Sequence, residues 1–343
     1  MNGKILIVDD EIDVRTGLQL LLRRQGYAVH TASDGDTALD ECVSFQPDLI
    51  LLDVMMPGRD GFEVCREIKS RPEMRLIPVV LITGLSEKSD RIRGIEAGAD
   101  DFLRKPMDMT ELDARVRSLL RLKSFTDELE HAEAVLFSLA LSIEARDPYT
   151  HGHCARLAEF SARLGERMDL PADEITALRR AGIVHDVGKV LVPDAILLKP
   201  GPLTADERFV MKQHPAAGEH ICSPLKSFRS VLCIIRHHHE RWDGSGYPDG
   251  LRGEAIPLTA RVLQIADVYD ALTTQRPYRA ALPPLEAWKI LVEEANRGWW
   301  DGRLVRKFRE MMDDWDFAAT AKEDGKIPRA DAAVKRARRS AAK

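Results

Sequence analysis

The chain has 343 residues, 44% hydrophobic and 31% charged, which is ordinary for globular protein and long enough for about two domains. A net charge of −5 excludes a globally basic surface, so we expect no direct binding of nucleic acid or of an anionic membrane. There is no signal-peptide core and no apolar run of the ~18 residues that span a membrane. Because the five cysteines form no CxxC pair, we expect a cytoplasmic protein with reduced thiols.

Short apolar runs alternate with amphipathic stretches through residues 3–122. The runs predict strands at Lys4–Val8, Tyr27–Thr31, Leu49–Leu52, Val79–Ile82 and Asp101–Leu103, with helices near 12–25, 35–45, 61–70, 88–97 and 109–122. Strand–helix alternation predicts an α/β domain with a doubly wound, flavodoxin-like sheet of five parallel strands. The functional site of such a sheet lies outside the carboxyl ends of its strands.

Polar side chains stand where these predicted strands end. Asp9 and Asp10 follow the first strand and Asp53 ends the third, so three carboxylates would converge in one crevice. Converging carboxylates need a counter-ion, and oxygen ligands suit Mg²⁺. Thr83 and Lys105 end the fourth and fifth strands, and the whole set suits phosphoryl transfer to an aspartate. Acids that are merely solvated are the alternative, but solvation does not require the complete set.

These residues resemble the receiver domain of response regulators. The matching motifs are Asp9-Asp10, Asp53 with Met55-Met56-Pro57-Gly58, Thr83-Gly84, Gly98-Ala99-Asp100-Asp101-Phe102 and Lys105-Pro106. The resemblance implies that a sensor histidine kinase phosphorylates Asp53 and that Asp9, Asp10 and Asp53 hold Mg²⁺. It also implies that Thr83, Phe102 and Lys105 form the switch, and that the Lys105-Pro106 bond is a candidate cis bond.

The sequence becomes helical from Leu119 onward. Apolar residues recur there every three, four or seven positions as far as Ile143, with charged residues between them, and predict a connecting helix at 123–145. This stripe has two open interpretations, pairing with a second copy as a homodimer or packing on its own domain. Sedimentation with and without a phosphoryl mimic distinguishes them, since an unchanged monomer contradicts the homodimer.

Residues 146–316 read almost entirely as helix and loop, which predicts an all-α domain. Thr204 and Glu207 have the spacing of a capping box at the start of a helix. Residues 317–343 are rich in Ala, Lys, Arg and Asp and have almost no large apolar side chains, so we expect a disordered tail.

Seven histidines and aspartates of this helical region have the character of metal ligands. They are His153, His185, Asp186, His214, His238, His239 and Asp267. Burying so many imidazoles and carboxylates without partners would be costly. Seven ligands exceed the needs of one ion, so the set predicts two divalent ions bridged by a carboxylate. Each residue alone has an ordinary explanation, as a core histidine, a surface cluster or a helix cap.

Cationic side chains accompany these candidate ligands. Arg276 and Arg279 follow Asp267 by one to three helical turns, and guanidinium groups suit phosphate oxygens. Lys189 lies one turn after His185 on the same predicted face.

The helical region resembles the HD-GYP family of cyclic di-GMP phosphodiesterases, which belongs to the HD superfamily. The motifs are Arg146-Asp147-Pro148-Tyr149-Thr150 through His153, His185-Asp186-Val187-Gly188-Lys189, His214-Pro215, His238 through Pro248, and Ile265 through Thr273. The resemblance implies one ion on His153, His185, Asp186 and Asp267, and a second on Asp186, His214, His238 and His239. Iron or manganese is the family expectation, and a bridging water would attack phosphorus.

The same resemblance assigns the remaining roles. Asp186 and Lys189 would be the catalytic residues, and Lys189, Arg276 and Arg279 would bind the substrate phosphates. The loop Gly246-Tyr247-Pro248 is linked in the family to partner proteins, including diguanylate cyclases.

One position departs from the family. Some members hold a third metal with a Glu four residues before the first His ligand, where this chain has Tyr149, so we favour two ions. The product, linear pGpG or GMP, and the direction of phosphorylation control stay open. The alternatives are an HD-superfamily hydrolase of another nucleotide, and a catalytically silent cyclic di-GMP sensor or docking module.

Overall fold

The computed structural model describes residues 3–84, 88–146, 152–275 and 280–314, which divide into two compact units between His131 and Ala132. Arg276, Arg279, Tyr149 and the predicted tail at 317–343 lie outside the described residues. Within the described residues, no helix is long and apolar enough to cross a membrane.

The first unit is a parallel sheet with helices on both faces. Its strands are β1 (Lys4–Val8), β2 (Ala28–Ala32), β3 (Leu49–Asp53), β4 (Val79–Thr83) and β5 (Asp101–Arg104), and its helices are α1 (Ile12–Arg24), α2 (Gly35–Phe45), α3 (Gly61–Ser70), α4 (Lys88–Glu96) and the first part of α5 (Met109–Arg146). The strand order is β2-β1-β3-β4-β5 and every neighbouring pair is parallel. The predicted doubly wound receiver fold is confirmed.

Alternation along β1 explains why the sheet is covered on both faces. Leu6 and Val8 belong to the core shared with α2 and α3, whereas Ile5 and Ile7 belong to the core shared with α1 and α5. All four side chains are fully buried, as is typical of parallel sheets, whose strands have no solvent-facing side.

The strand order also fixes where a site forms. The chain passes from β1 outward to β2 and then returns to β3 on the other side, so the crevice opens beyond the ends of β1 and β3. Val8 is in register with Leu52, which places Asp9 beside Asp53. Thr83 is in register with Arg104, one residue before Lys105.

Helix α5 runs without interruption over both the predicted helix at 109–122 and the predicted connecting helix at 123–145. Leu112 and Val116 near its start are buried in the core of the first unit. Leu136, Ala140 and Ile143 near its end are buried in the core of the second unit.

The second unit is all helical in its described residues, as predicted. Its further helices are α6 (His153–Arg167), α7 (Ala172–Val184), α8 (Asp194–Leu197), α9 (Ala205–Met211), α10 (His214–Cys222), α11 (Arg229–His237), α12 (Leu258–Thr273), α13 (Pro284–Asn296) and α14 (Gly302–Asp313), with short 3₁₀ turns at Val187–Leu191, Lys226–Phe228 and Gly253–Ala255. Thr204 and Glu207 form the predicted capping box of α9, and His214 begins a separate helix, with Pro215 in its first turn.

We predict that Gly61→Ala lowers the free energy of unfolding of the first unit by about 1–3 kcal/mol, the usual cost of overpacking. A Cβ at this first residue of α3 would lie 2.2 Å from the carbonyl oxygen of Asp53. Gly17→Ala in α1 is the matched control, because a Cβ there meets nothing within 4 Å. Scanning calorimetry of the full chain measures both, and equal effects of the two substitutions would contradict the argument.

Candidate functional site

The carboxyl ends of β1, β3 and β5 bring two aspartates and a lysine together in the first unit. The Lys105 ammonium donates to Asp53 Oδ2 at 2.9 Å and to Asp9 Oδ2 at 3.0 Å. Asp9 and Asp53 are buried and Asp10 is exposed, yet all three offer an oxygen within 4.8 Å of the others. Such a group of oxygens can hold a hard cation.

Burial and pairing set the charges in this crevice. Burial raises the pKa of Asp53, and the Lys105 ammonium opposes that rise without cancelling it. Burial alone would lower the pKa of Lys105, but its hydrogen bonds to Asp53 and Asp9 outweigh burial and raise it. Lys105 therefore stays cationic beside the candidate phosphoacceptor.

Of the other predicted switch residues, Thr83 lies at the same edge of the sheet and Phe102 lies further back along β5. Thr83 ends β4 and is half-buried. Phe102 on β5 is partly buried, and its ring lies so close to α4 that a Cβ on Gly94 would be 2.4 Å from Cε1. The Lys105-Pro106 bond is cis, as predicted.

The seven candidate ligands of the second unit lie at or near helix ends, apart from one. His153 opens α6, His185-Asp186 follow α7, His214 opens α10, and His238-His239 follow α11, while Asp267 lies within α12. The structure collects them into two groups whose potential ligand atoms all lie within 4.8 Å of one another: Asp186 with His214, His238 and His239, and His153 with His185 and Asp267.

Four of the imidazoles are anchored through Nδ1. Three Nδ1 atoms lie on backbone carbonyl oxygens and one lies on a carboxylate: His185 on Gly182 at 3.2 Å, His214 on Met211 at 2.7 Å, His238 on Ile235 at 2.6 Å and His153 on Asp270 at 2.8 Å. Because a carbonyl oxygen only accepts, Nδ1 of His185, His214 and His238 must carry a proton, and in the neutral ring Nε2 then carries the lone pair. Anchors of this kind orient histidines that bind metals.

The free lone pairs converge on Asp186. Its Oδ1 is buried and makes no hydrogen bond of acceptable geometry, although His214 Nε2 is 3.1 Å away and His238 Nε2 is 3.8 Å away. The two Nε2 atoms lie 3.4 Å apart, and with both Nδ1 atoms protonated neither has a proton to share. Three electron-rich atoms this close repel one another unless a cation lies among them, so the residues present fit a metal ion.

The second oxygen of Asp186 faces the other group. Oδ2 lies 3.3 Å from His185 Nε2 and accepts a hydrogen bond from Lys189 Nζ at 2.5 Å. His153 Nε2 lies 3.5 Å from Asp267 Oδ1 within that group. One carboxylate thus presents an oxygen to each group, which is the arrangement that a bridging ligand requires.

The protonation states of His238, His239 and Asp186 suit a cation as well. Burial lowers the pKa of His238 well below its usual range and lowers that of His239 to about 3, so both are neutral near neutral pH. Burial would raise the pKa of Asp186, but Lys189 and His185 outweigh it and hold that pKa well below its ordinary value. His185 differs, because burial would lower its pKa but the Asp186 charge outweighs burial and raises it, which favours the protonated ring that a metal ion would have to displace. Neutral imidazoles and ionised carboxylates are the forms that bind divalent metals.

A cleft opens beside the group that contains His153. Its walls combine polar and apolar side chains, with Ala140, Ile143 and Glu144 from α5, Lys189 from the 3₁₀ turn and Leu197 from α8, together with Cys154, Ile183 and Val187. The end of α5 therefore forms part of the wall beside the candidate ligands.

The loop Gly246-Tyr247-Pro248 is built against the site. The Tyr247 ring lies 4.9 Å from the His239 ring, centre to centre, and a Cβ on Gly246 would be 2.4 Å from the Glu240 Cα. The buried Glu240 carboxylate accepts hydrogen bonds from the backbone N–H groups of Asp249, Gly250 and Leu251. This loop is therefore held rigidly beside His239.

Sequence reasoning missed several residues that support the ligands. Asp270 anchors His153, and Glu240 accepts hydrogen bonds from the backbone of the loop that follows Pro248. Gln264 Nε2 donates to the carbonyl oxygens of His237 and Glu240. The spacing of Asp270, three residues after Asp267 on one helix, was the available signal, since residues three apart share a helix face. Glu240 lies within the motif from His238 to Pro248 but was given no role of its own, and nothing in the sequence pointed to Gln264.

Comparisons with known proteins agree with this two-part organisation. Family models match the response regulator receiver domain at residues 5–117 and the HD domain at residues 138–304. The cyclic di-GMP phosphodiesterase response regulator RpfG of Xanthomonas campestris is 39% identical over 309 residues, which are 83% of this chain and 80% of that protein. A probable cyclic di-GMP phosphodiesterase of Vibrio cholerae is 36% identical over 324 residues, covering 84% of this chain and 73% of that protein.

A third relative matches about half of the chain. The 3'3'-cGAMP-specific phosphodiesterase 3 of Vibrio cholerae is 37% identical over 163 residues, which are 48% of this chain and 35% of that protein. The two longer alignments span both units and most of each relative. The chain therefore belongs to the family of response regulators that join a receiver domain to an HD domain.

Proposed function

We propose that phosphorylation of Asp53 controls metal-dependent hydrolysis of cyclic di-GMP by this chain, with pGpG, GMP or both as products. A receiver at residues 3–122 would be joined through the segment 123–145 to the hydrolase at 146–316. The observation that carries the proposal is Asp186, whose two oxygens face two groups of anchored imidazoles. Relatives named as cyclic di-GMP phosphodiesterases support the choice of substrate.

The residues of the HD domain would have separate roles in the reaction: some would hold the metal ions and others would bind the substrate phosphates. Two divalent ions, with iron or manganese expected, would supply a water of lowered pKa and neutralise charge that grows on the phosphoryl oxygens. Asp186 would hold both sites at a fixed separation. Lys189, which lines the cleft, would bind a phosphate oxygen together with Arg276 and Arg279.

The receiver crevice supports the phosphoacceptor role of Asp53. Phosphoryl transfer places new negative charge on this carboxylate, and the Lys105 ammonium already lies 2.9 Å away to neutralise it. Asp9, Asp10 and Asp53 would hold the Mg²⁺ that positions the phosphoryl donor. A sensor histidine kinase is the donor that the receiver implies.

Helix α5 supplies the proposed route between the two activities. Leu112 is buried in the core of the receiver, and Ala140 and Glu144 of the same helix line the cleft. A displacement of this helix on phosphorylation would reach the cleft wall. The exposed side chains of Leu122, Phe125 and Leu129 between these points are available for pairing with a second copy, which is one of the two open interpretations of this stripe.

We predict that His214→Ala lowers cyclic di-GMP hydrolysis by more than about 100-fold, because losing a ligand costs more than losing a supporting partner. His220→Ala, an exposed histidine of the same helix, is the matched control and keeps activity. Protein purified without oxygen and supplied with Mn²⁺ or Fe²⁺ is assayed by chromatography against cyclic di-GMP and 3'3'-cGAMP.

Which of the two nucleotides is hydrolysed decides between the alternatives. Preferential hydrolysis of 3'3'-cGAMP would replace the proposed substrate. No hydrolysis of either nucleotide by metal-loaded protein would favour a silent docking module. Such a module would act through the Gly246–Pro248 loop, with diguanylate cyclases as the expected partners.

We predict that Asp53→Asn abolishes Mg²⁺-dependent phosphorylation by a small phosphodonor, because the amide is not a nucleophile for this transfer. Asp36→Asn, at an exposed position in α2, keeps it. Intact-mass spectrometry measures incorporation, and hydrolysis and sedimentation are then compared before and after phosphorylation. Equal hydrolysis rates in both states would contradict control by Asp53, and an unchanged monomer would contradict the homodimer.

A further inference from the structure

We propose that Asp270 is a positioning residue that sets the affinity of one metal ion, the ion held by His153, His185 and Asp267, independently of the other. This inference rests on the proposed metal centre. It assigns to Asp270 and its partner Arg156 a role that neither the ligand motifs nor the family resemblance supplies.

The contacts of Asp270 define this role. The buried carboxylate lies on α12, one turn after Asp267, and its Oδ2 accepts from His153 Nδ1 at 2.8 Å. Arg156, one turn after His153 on α6, donates from Nε to Asp270 Oδ1 at 2.5 Å and from Nη2 to Oδ2 at 3.0 Å. Thr274 Oγ1 completes the set at 3.4 Å from Oδ2. Helices α6 and α12 are thus joined by a second polar layer directly behind the ligand layer.

The anchor of His153 differs in charge from the anchors of its neighbours. His185, His214 and His238 rest on neutral backbone carbonyls, whereas His153 rests on a carboxylate. A negative acceptor on Nδ1 makes Nε2 a stronger electron donor toward a cation than a carbonyl does. The two groups of ligands therefore differ in electronic support although both use imidazole and carboxylate.

The bidentate contact from Arg156 fixes the orientation of the Asp270 carboxylate, which anchors His153. A guanidinium that binds both oxygens fixes the plane of a carboxylate. Fixing Asp270 fixes the His153 ring, because Nδ1 is held while Nε2 points toward Asp267 Oδ1 at 3.5 Å. Arg156 therefore acts on the ligand through Asp270.

The test compares metal binding by the full chain and two variants. Asp270→Asn keeps an acceptor for Nδ1 but removes the negative charge. Asp301→Asn is the matched control, because Asp301 is also a buried carboxylate of this unit and pairs instead with Arg261 and Arg303. Each protein also carries Asp10→Asn, which removes one of the three carboxylates that could hold a cation in the receiver crevice. Each is dialysed without oxygen against a series of Mn²⁺ concentrations, and bound manganese is counted by mass spectrometry.

We expect the parent chain, with Asp10→Asn alone, and Asp301→Asn to bind two ions, and Asp270→Asn to keep one ion with unchanged affinity. Its second ion should require about 10- to 100-fold more free Mn²⁺, the usual effect of removing a supporting partner. Electron paramagnetic resonance then shows an isolated Mn²⁺ in Asp270→Asn, where the control shows a coupled pair. Two ions of unchanged affinity in Asp270→Asn overturn the inference.

Arg156→Gln keeps the test decisive if Asp270→Asn does not fold. This variant leaves the Asp270 carboxylate in place and removes its fixation, so we expect a smaller loss of affinity for the same single ion. An equal loss of affinity for both ions, or no loss of affinity for either, overturns the inference. A parent chain that binds no manganese overturns the proposed metal centre itself, which separates the two failures.

Discussion

The organisation of the second unit depends on one oxygen of Asp186, the buried Oδ1, which faces imidazole nitrogens and accepts no hydrogen bond. A buried polar atom without a hydrogen-bond partner is costly, and the anchoring of His214 and His238 on backbone carbonyls keeps their Nδ1 protons out of reach. The helix ends that carry the ligands bring these groups together, so the fold tolerates an arrangement that a cation would relieve. A cation here would stabilise the folded chain as well as serve catalysis.

The first unit also brings acidic side chains together, and here the cation that relieves their repulsion is a lysine side chain. Asp9 and Asp53 lie side by side because β1 and β3 are in register, and their repulsion is relieved by Lys105 from the end of β5. In both units, elements of secondary structure end where acidic groups converge. Helix α5 contributes residues near its start to the core of the first unit and residues near its end to the core of the second.

Much of the fold and most candidate ligands could be predicted from the sequence, because both depend on local patterns. Alternating apolar runs gave strands within one or two residues of those observed, and ordered His and Asp motifs identified both groups of ligands. The continuity of α5 was also open to prediction, since residues 109–146 contain neither Gly nor Pro to end a helix. Dividing it at residue 122 followed the expected domain boundary instead of the helix chemistry.

The supporting residues could not be predicted in the same way. Asp270 acquires its role only when α12 lies against α6, and Glu240 only when the following loop folds back over it. An aspartate or glutamate in such a position has no distinctive local pattern, because its partner is a histidine 117 residues away or a row of backbone N–H groups. The packing of helices therefore decides which carboxylates support the site.

If Asp186 is shared between two metal ions, an Asp186→Ala variant should lose metal. Chains with and without Asp186→Ala, both carrying Asp10→Asn to remove a carboxylate of the receiver crevice, would be loaded with Mn²⁺ without oxygen, dialysed, and assayed for manganese and for cyclic di-GMP hydrolysis. We expect two ions per chain with Asp186 intact, and fewer than two with no measurable hydrolysis in Asp186→Ala. Two ions and unchanged turnover in Asp186→Ala would contradict the sharing of Asp186.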